Sequence, residues 1–114
     1  MMKIDSYQSG EIVIEGRRYT SDLIIFPHRV ESNWWRMRGH QLLPQDLEEV
    51  VRQRPEMIIL GTGESDRMKV LPETKQYVQQ QGIELIAQAT DQACQTYNQL
   101  CSSRKVVGVF HLAC

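Results

Sequence analysis

Met57-Ile58-Ile59-Leu60-Gly61-Thr62-Gly63 is the stretch whose reading decides the fold. Four apolar residues in unbroken succession suit a strand buried on both faces, and two glycines stand where that strand must turn away. A strand covered on both faces needs helices on either side of it. The flanking sequence supplies them. Upstream, Pro44 opens a helix in the first-turn position, where its missing N–H costs little. Leu43, Leu47, Val50 and Val51 share one face of it, Glu48, Glu49, Arg52 and Gln53 point elsewhere, and Pro55 ends it. Downstream, a second helix begins near Pro72-Glu73 and stops at Gly82. Ile83-Glu84-Leu85-Ile86 is the next strand. Thr90 or Asp91 caps a last helix with Ala93, Cys94, Tyr97, Leu100 and Cys101 on its apolar face, and Val106-Val107-Gly108-Val109-Phe110 closes the chain.

From residue 57 onward the order is therefore strand, helix, strand, helix, strand, which favours parallel pairing with right-handed crossovers. The first half reads differently. Glu11 to Thr20 is a hairpin around Gly16, and Leu23-Ile24-Ile25-Phe26 is a second fully apolar run, ended by Pro27. Residues 27 to 40 are the least regular, with Trp34 to Arg38 read as a short strand ended by Gly39. The expectation is a single α/β domain over residues 1–114. It has a mixed sheet with an N-terminal β-hairpin and a C-terminal βαβαβ unit, and helices packed around the sheet.

A chain of 114 residues buries enough surface to need no disulfide or metal staple. Thirteen basic and fourteen acidic residues leave a formal net charge of -1, which supplies no general cationic surface and disfavours nucleic acid as a partner. No apolar run approaches the roughly 20 residues that span a bilayer, so no membrane partner is expected. Met1 to Tyr7 contains no signal-like core and brings acid at once, and Cys114 stands last, outside any prenylation box. Cys94, Cys101 and Cys114 form no close-spaced pattern and read as free thiols in a reducing compartment, so the expected location is cytoplasmic. Within one intact helix Cys94 and Cys101 would lie about 10 Å apart along the axis, too far to bridge.

Chemistry has three places to sit. Gly61-Thr62-Gly63 leaves a strand at its carboxyl end, where ligands of open α/β sheets bind. It carries neither a phosphate-loop lysine nor the third glycine of a dinucleotide fingerprint, so a tight turn competes with a small-ligand or partner pocket. Cys94, Tyr97 and Asn98 fall on one side of the last helix, with Cys94 near its N-terminus, where a helix dipole lowers a thiol pKa; the competing reading is ordinary core. Trp34 and Trp35 stand among Arg29, Arg36 and Arg38, the residue types enriched at protein interfaces. Adjacent extended residues face opposite ways, so one tryptophan is expected inside and one outside. His28, His40 and His111 are scattered and no metal motif is present, so no metal or cofactor is expected.

Several pieces together resemble one family. They are Ser6-Tyr7 before Gly10, Pro55-Glu56-Met57 through Gly63, Leu71-Pro72-Glu73, and Gly82-Ile83. Thr90-x-x-Ala93-Cys94-x-Thr96-Tyr97-Asn98-x-Leu100 and Arg104-x-Val106 before His111-Leu112-x-Cys114 complete the set. This is similar to the domain of unknown function shared by adipogenesis-associated domain proteins, mitochondrial complex I assembly factor three and many small prokaryotic proteins. The resemblance implies helices packed around a mixed sheet, roles in assembly or regulation, and no settled enzymatic activity; this chain looks like a prokaryotic stand-alone member. It draws attention to Gly61, Thr62, Gly63, Thr90, Cys94, Tyr97, Asn98 and Arg104.

Three functional expectations follow. The first is a noncatalytic module that binds another protein in an assembly or regulatory role, through Trp34, Trp35, Arg36 and Arg38. The second is a small-molecule pocket, enzymatic if Cys94 acts as nucleophile, formed by Gly61, Thr62 and Gly63 with Tyr97, Asn98 and an anion-holding Arg104. The third is a homodimer through an open sheet edge.

Overall fold

A computed structural model describes residues 2–113; Cys114 lies outside the described residues. In chain order the elements are β1 (Ile4–Gln8), β2 (Glu11–Ile14), β3 (Arg17–Tyr19), β4 (Leu23–Phe26), β5 (Arg29–Ser32) and β6 (Gln41–Leu42). A 3-10 turn (Pro44–Leu47) leads into α1 (Glu48–Arg52). Then come β7 (Met57–Thr62), β8 (Lys69–Val70), α2 (Pro72–Gln80), β9 (Glu84–Gln88), α3 (Thr90–Leu100) and β10 (Val106–His111).

The central sheet is five-stranded in the order β5-β4-β10-β7-β9. β10 and β9 flank β7 in parallel, with Gly108 opposite Ile59 and Ile59 opposite Ile86. The C-terminal half therefore forms a βαβαβ unit, and its last strand inserts at the middle of the sheet. β4 pairs antiparallel to β10, and β5 antiparallel to β4, which makes the sheet mixed. The hairpin read at residues 11–20 is β2 and β3, and it belongs to a separate antiparallel sheet, β1-β2-β3. The antiparallel component of the main sheet comes instead from β4 and β5, across the Pro27-His28 turn.

Two cores lie on the two faces of the main sheet. Alternate residues of the buried strands divide between them, as pleating requires. Ile25, Ile59, Val106 and Phe110 pack with Ala93, Cys94 and Tyr97 of α3 and with Ile4, Ile12 and Ile14 of the small sheet. Ile24, Ile58, Leu60, Val107 and Val109 pack with Leu47, Val50 and Val51 and with Val78 of α2.

Three local expectations are corrected. Trp34 to Arg38 is not a strand: after Asn33, which takes a φ of 60°, the chain wanders until Arg38 bridges Gln41. The helix opened by Pro44 is a 3-10 turn and a short α1, because the chain has only to carry Leu47, Val50 and Val51 across the sheet before Arg54, at a φ of 52°, turns it back. Neither Thr90 nor Asp91 caps α3. Its N-cap is Ala89, without a side-chain cap, and the Thr90 hydroxyl is used in tertiary bonding instead.

Candidate functional site

The most elaborate polar construction lies at the carboxyl end of β10, beneath the irregular segment 33–41. Asp22 precedes β4, His111 ends β10, and Arg36 reaches down between them. Arg36 Nη1 donates to Asp22 Oδ2 at 2.8 Å, and its Nε donates to the Gly39 carbonyl at 2.8 Å. The Arg36 side chain is only 7% exposed. His111 Nδ1 lies 2.8 Å from the same Oδ2, and Leu112 N–H donates to Asp22 Oδ1 at 2.9 Å. Burial alone would raise the Asp22 pKa, but the bonds from His111, Leu112 and Arg36 outweigh it and hold the carboxyl at about 2. His111 Nδ1 therefore faces both an ionised carboxylate and, at 3.3 Å, the Nη2 of Arg36. His111 Nε2 is buried without a hydrogen-bond partner among the described residues. The His40 ring meets His111 edge-on at 5.5 Å between centroids. An aspartate–histidine pair can serve as a base, but here its outer nitrogen is sealed under the segment that Arg36 ties down.

That segment is pinned along its length. Trp34 N–H donates to Asp22 O at 2.8 Å, and Asn33 N–H to Ser21 Oγ at 3.1 Å. The Trp34 ring lies under the Arg36 guanidinium at 4.7 Å and donates from Nε1 to Asp46 O at 3.3 Å. Lys69 N–H donates to His40 O at 2.7 Å, and β6 pairs with β8 just beyond. The result places Trp34 half-buried against the α1–α2 core, while Trp35 is 76% and Met37 59% exposed. Arg38 is exposed and Arg36 is not. Trp34, Trp35, Met37, Gln45 and Asp46 line an open groove of about 330 Å³ together with Glu31 and Glu49.

The pocket anticipated at Gly61-Thr62-Gly63 does not assemble. A Cβ on Gly61 would lie 2.8 Å from both a Phe110 ring atom and Thr90 Oγ1, so the glycine is needed for packing. Thr90 Oγ1 accepts from Gly63 N–H at 2.8 Å and donates to His111 O at 2.6 Å. The Thr62 hydroxyl lies between Gln88 O, 2.9 Å away, and the Asp66 carboxylate. The turn is filled. Arg104 sits at the other end of the sheet, before β10, where its Nε lies 3.9 Å from Glu56. Cys94 and Asn98 do come together, along a shallow groove with Asp5, Ser6 and Tyr7 of β1. Asn98 uses both amide groups there, Oδ1 accepting from Ile4 N–H at 2.9 Å and Nδ2 donating to Ile4 O at 2.7 Å. Tyr97 is buried, and its hydroxyl donates to Met2 O at 2.9 Å. Burial, aided by Asp91, pushes the Cys94 thiol up to about 12, the opposite of helix-dipole activation.

Sequence reasoning found the Trp34–Arg38 cluster and noted His111 only as a scattered histidine and as part of the family resemblance; it missed Asp22 and the pairing of the two, which are 89 positions apart.

The fold has close relatives of known structure. A conserved hypothetical protein from Pyrococcus horikoshii, PH1505, superposes with a TM-score of 0.88 at 27% identity, over 99% of this chain and 100% of that one. Xanthomonas campestris XCC1710 superposes with a TM-score of 0.85 at 22% identity, over 98% of this chain and 85% of that one. In sequence, the human NADH dehydrogenase [ubiquinone] 1 alpha subcomplex assembly factor 3 is 33% identical over 110 residues, 94% of this chain. Its mouse counterpart is 32% identical over 108 residues, 92% of this chain. The chain spans 58% and 57% of the length of those two relatives. With residues 4–111 matched by the family model, the chain belongs to the protein family of unknown function DUF498/DUF598.

Proposed function

We propose that the chain is a noncatalytic protein-binding module, acting in the cytoplasm as an assembly or regulatory factor and meeting its partner through the segment Trp34–Arg38. One observation carries this reading: Trp35 and Met37 project into solvent from a segment that is fastened from beneath. Scattered apolar residues on a surface need no explanation. Two large ones held beside a groove by a buried ion pair are different, because a fixed loop loses little conformational entropy on binding. Tryptophan and arginine also dominate the energetics of measured interfaces. The names of the curated relatives, which are assembly factors, support a partner that is itself a protein.

The test is a photo-crosslinking residue placed at Met37 in cells of the source organism, with one at exposed Gln79 on α2 as control. Position 37 is expected to give a discrete adduct that Trp35→Ala abolishes, and position 79 none. An adduct pattern shared by both positions, or one indifferent to Trp35→Ala, overturns the reading.

A further inference from the structure

The amino end of the central strand β10, opposite the end that carries His111, holds a second construction. Here the Pro27-His28 turn between β4 and β5 stands beside Lys105. Two adjoining cavities meet at Pro27, His28 and Lys105. The larger, about 550 Å³, is completed by Phe26, Arg29 and Gln53; the smaller, about 180 Å³, opens toward Tyr97 and Arg104. The larger lies within the size range of small-molecule sites. Among the described residues no carboxylate lines either cavity, whereas cationic side chains line both.

The state of each cation decides what the larger cavity accepts. Arg29 is neutralised: it reaches Glu31 at 3.6 Å and Glu49 at 3.4 Å while stacking 4.1 Å over the Phe26 ring. Lys105 is not. Its Nζ donates to the Gln53 carbonyl at 2.6 Å, a neutral acceptor, and it forms no ion pair with the described residues. Its backbone N–H donates to Glu56 Oε1 at 2.8 Å, and two of the ammonium's three donors are uncommitted among the described residues. The His28 imidazole has no hydrogen bond or ion pair with the described residues and faces the same space. Pro27 and the Phe26–Arg29 stack line the same cavity.

We propose that this cavity binds a small organic acid, a carboxylate or phosphate ester on an apolar body. Lys105 and His28 take the anion, and the body lies against Pro27 and the Phe26–Arg29 stack. Charge-assisted hydrogen bonds to the ammonium supply the specificity for charge. Trp35 itself lines neither cavity.

Titrating the full chain with octanoate and with phenyl phosphate, each against its neutral counterpart octanol or phenol, tests the proposal. Backbone amide shifts of His28, Arg29, Gln53 and Lys105 are followed by NMR at physiological ionic strength. Saturable shifts confined to those residues are expected for at least one acid, and which acid binds more tightly tells carboxylate from phosphate. Lys105→Gln is expected to weaken that binding at least about tenfold. Lys105→Arg is expected to retain most of it, and Trp35→Ala to leave it unchanged. Lys105 is exposed, so its variants fold. Equal shifts from the neutral compounds, an unaltered titration in Lys105→Gln, or linear shifts spread over all basic residues overturn it.

Discussion

Arg36 and Asp22 stand 14 positions apart in the chain and meet at 2.8 Å, and through that contact a surface segment without regular secondary structure is tied to the end of the central strand. The guanidinium is the more deeply buried partner, at 7% exposure against 19% for the carboxylate. A buried pair of this kind adds little stability over a well-packed apolar replacement, yet removing one partner strands the other. Its value here is to give the segment 33–41 one conformation.

Asp22→Ala is accordingly expected to cost about 3 kcal/mol, because it leaves Arg36 buried and unpaired. Arg36→Met added to it should restore part of that loss, since the stranded guanidinium is then gone. Urea unfolding of the two single variants and the double variant measures this. Strictly additive losses would show that the two residues do not act as a pair.

The same carboxylate sets a pH dependence. Its pKa falls from an ordinary 3.8 to about 2 on folding. The folded state thus favours the ionised form, and the stabilisation is complete above about pH 4 and lost as pH falls through 2. The shift corresponds to about 2 kcal/mol. Unfolding free energies measured between pH 6 and pH 2 are expected to show the wild type converging on Asp22→Asn over that window. Parallel curves would contradict it.

Cys94 is expected to be inert in the native protein. Burial raises its thiol to about 12, so almost no thiolate exists at pH 8. Alkylation by iodoacetamide, followed by peptide mass mapping, should label Cys94 at least about a hundredfold more slowly in buffer than in urea, because reaction waits on opening of the core. Labelling at similar rates in both would mean that the α3 face is open.

The buried strands were legible because β4 is apolar throughout and β7 and β10 are apolar or glycine up to their last residues, Thr62 and His111, which is what burial on both faces demands. β1 and β5 were not. Ile4 is the only buried residue of β1, which also breaks register between Ile4 and Ser6, and β5 is an edge strand whose Arg29 and Ser32 are exposed. Thr90 gave a true signal for the wrong reason. Its position suggested a helix cap, but its hydroxyl joins Gly63 to His111 across the sheet. Gly61 likewise suggested a ligand and instead makes room for Phe110 and Thr90. The density of tryptophan and arginine at 34–38 was visible locally. The inward turn of Arg36 was not, because Asp22 and His111 reach it only through tertiary structure.

Asn98 separates an architectural polar residue from a ligand-binding one. Both halves of its amide are spent on the backbone of Ile4, at the point where β1 loses register with β2. Without it, the Ile4 N–H and C=O would be left beside the apolar face of α3. Asn98→Leu, which keeps the volume and loses both bonds, is expected to cost about 2 kcal/mol. Asn98→Asp should cost at least as much, because it sets a second oxygen against the Ile4 carbonyl. Hydrogen exchange at the Ile4 amide should accelerate in both variants, while amides in β7 keep the protection set by global stability. Stability within about 0.5 kcal/mol of wild type, the range of ordinary surface substitutions, would mean that Asn98 does not hold the strand.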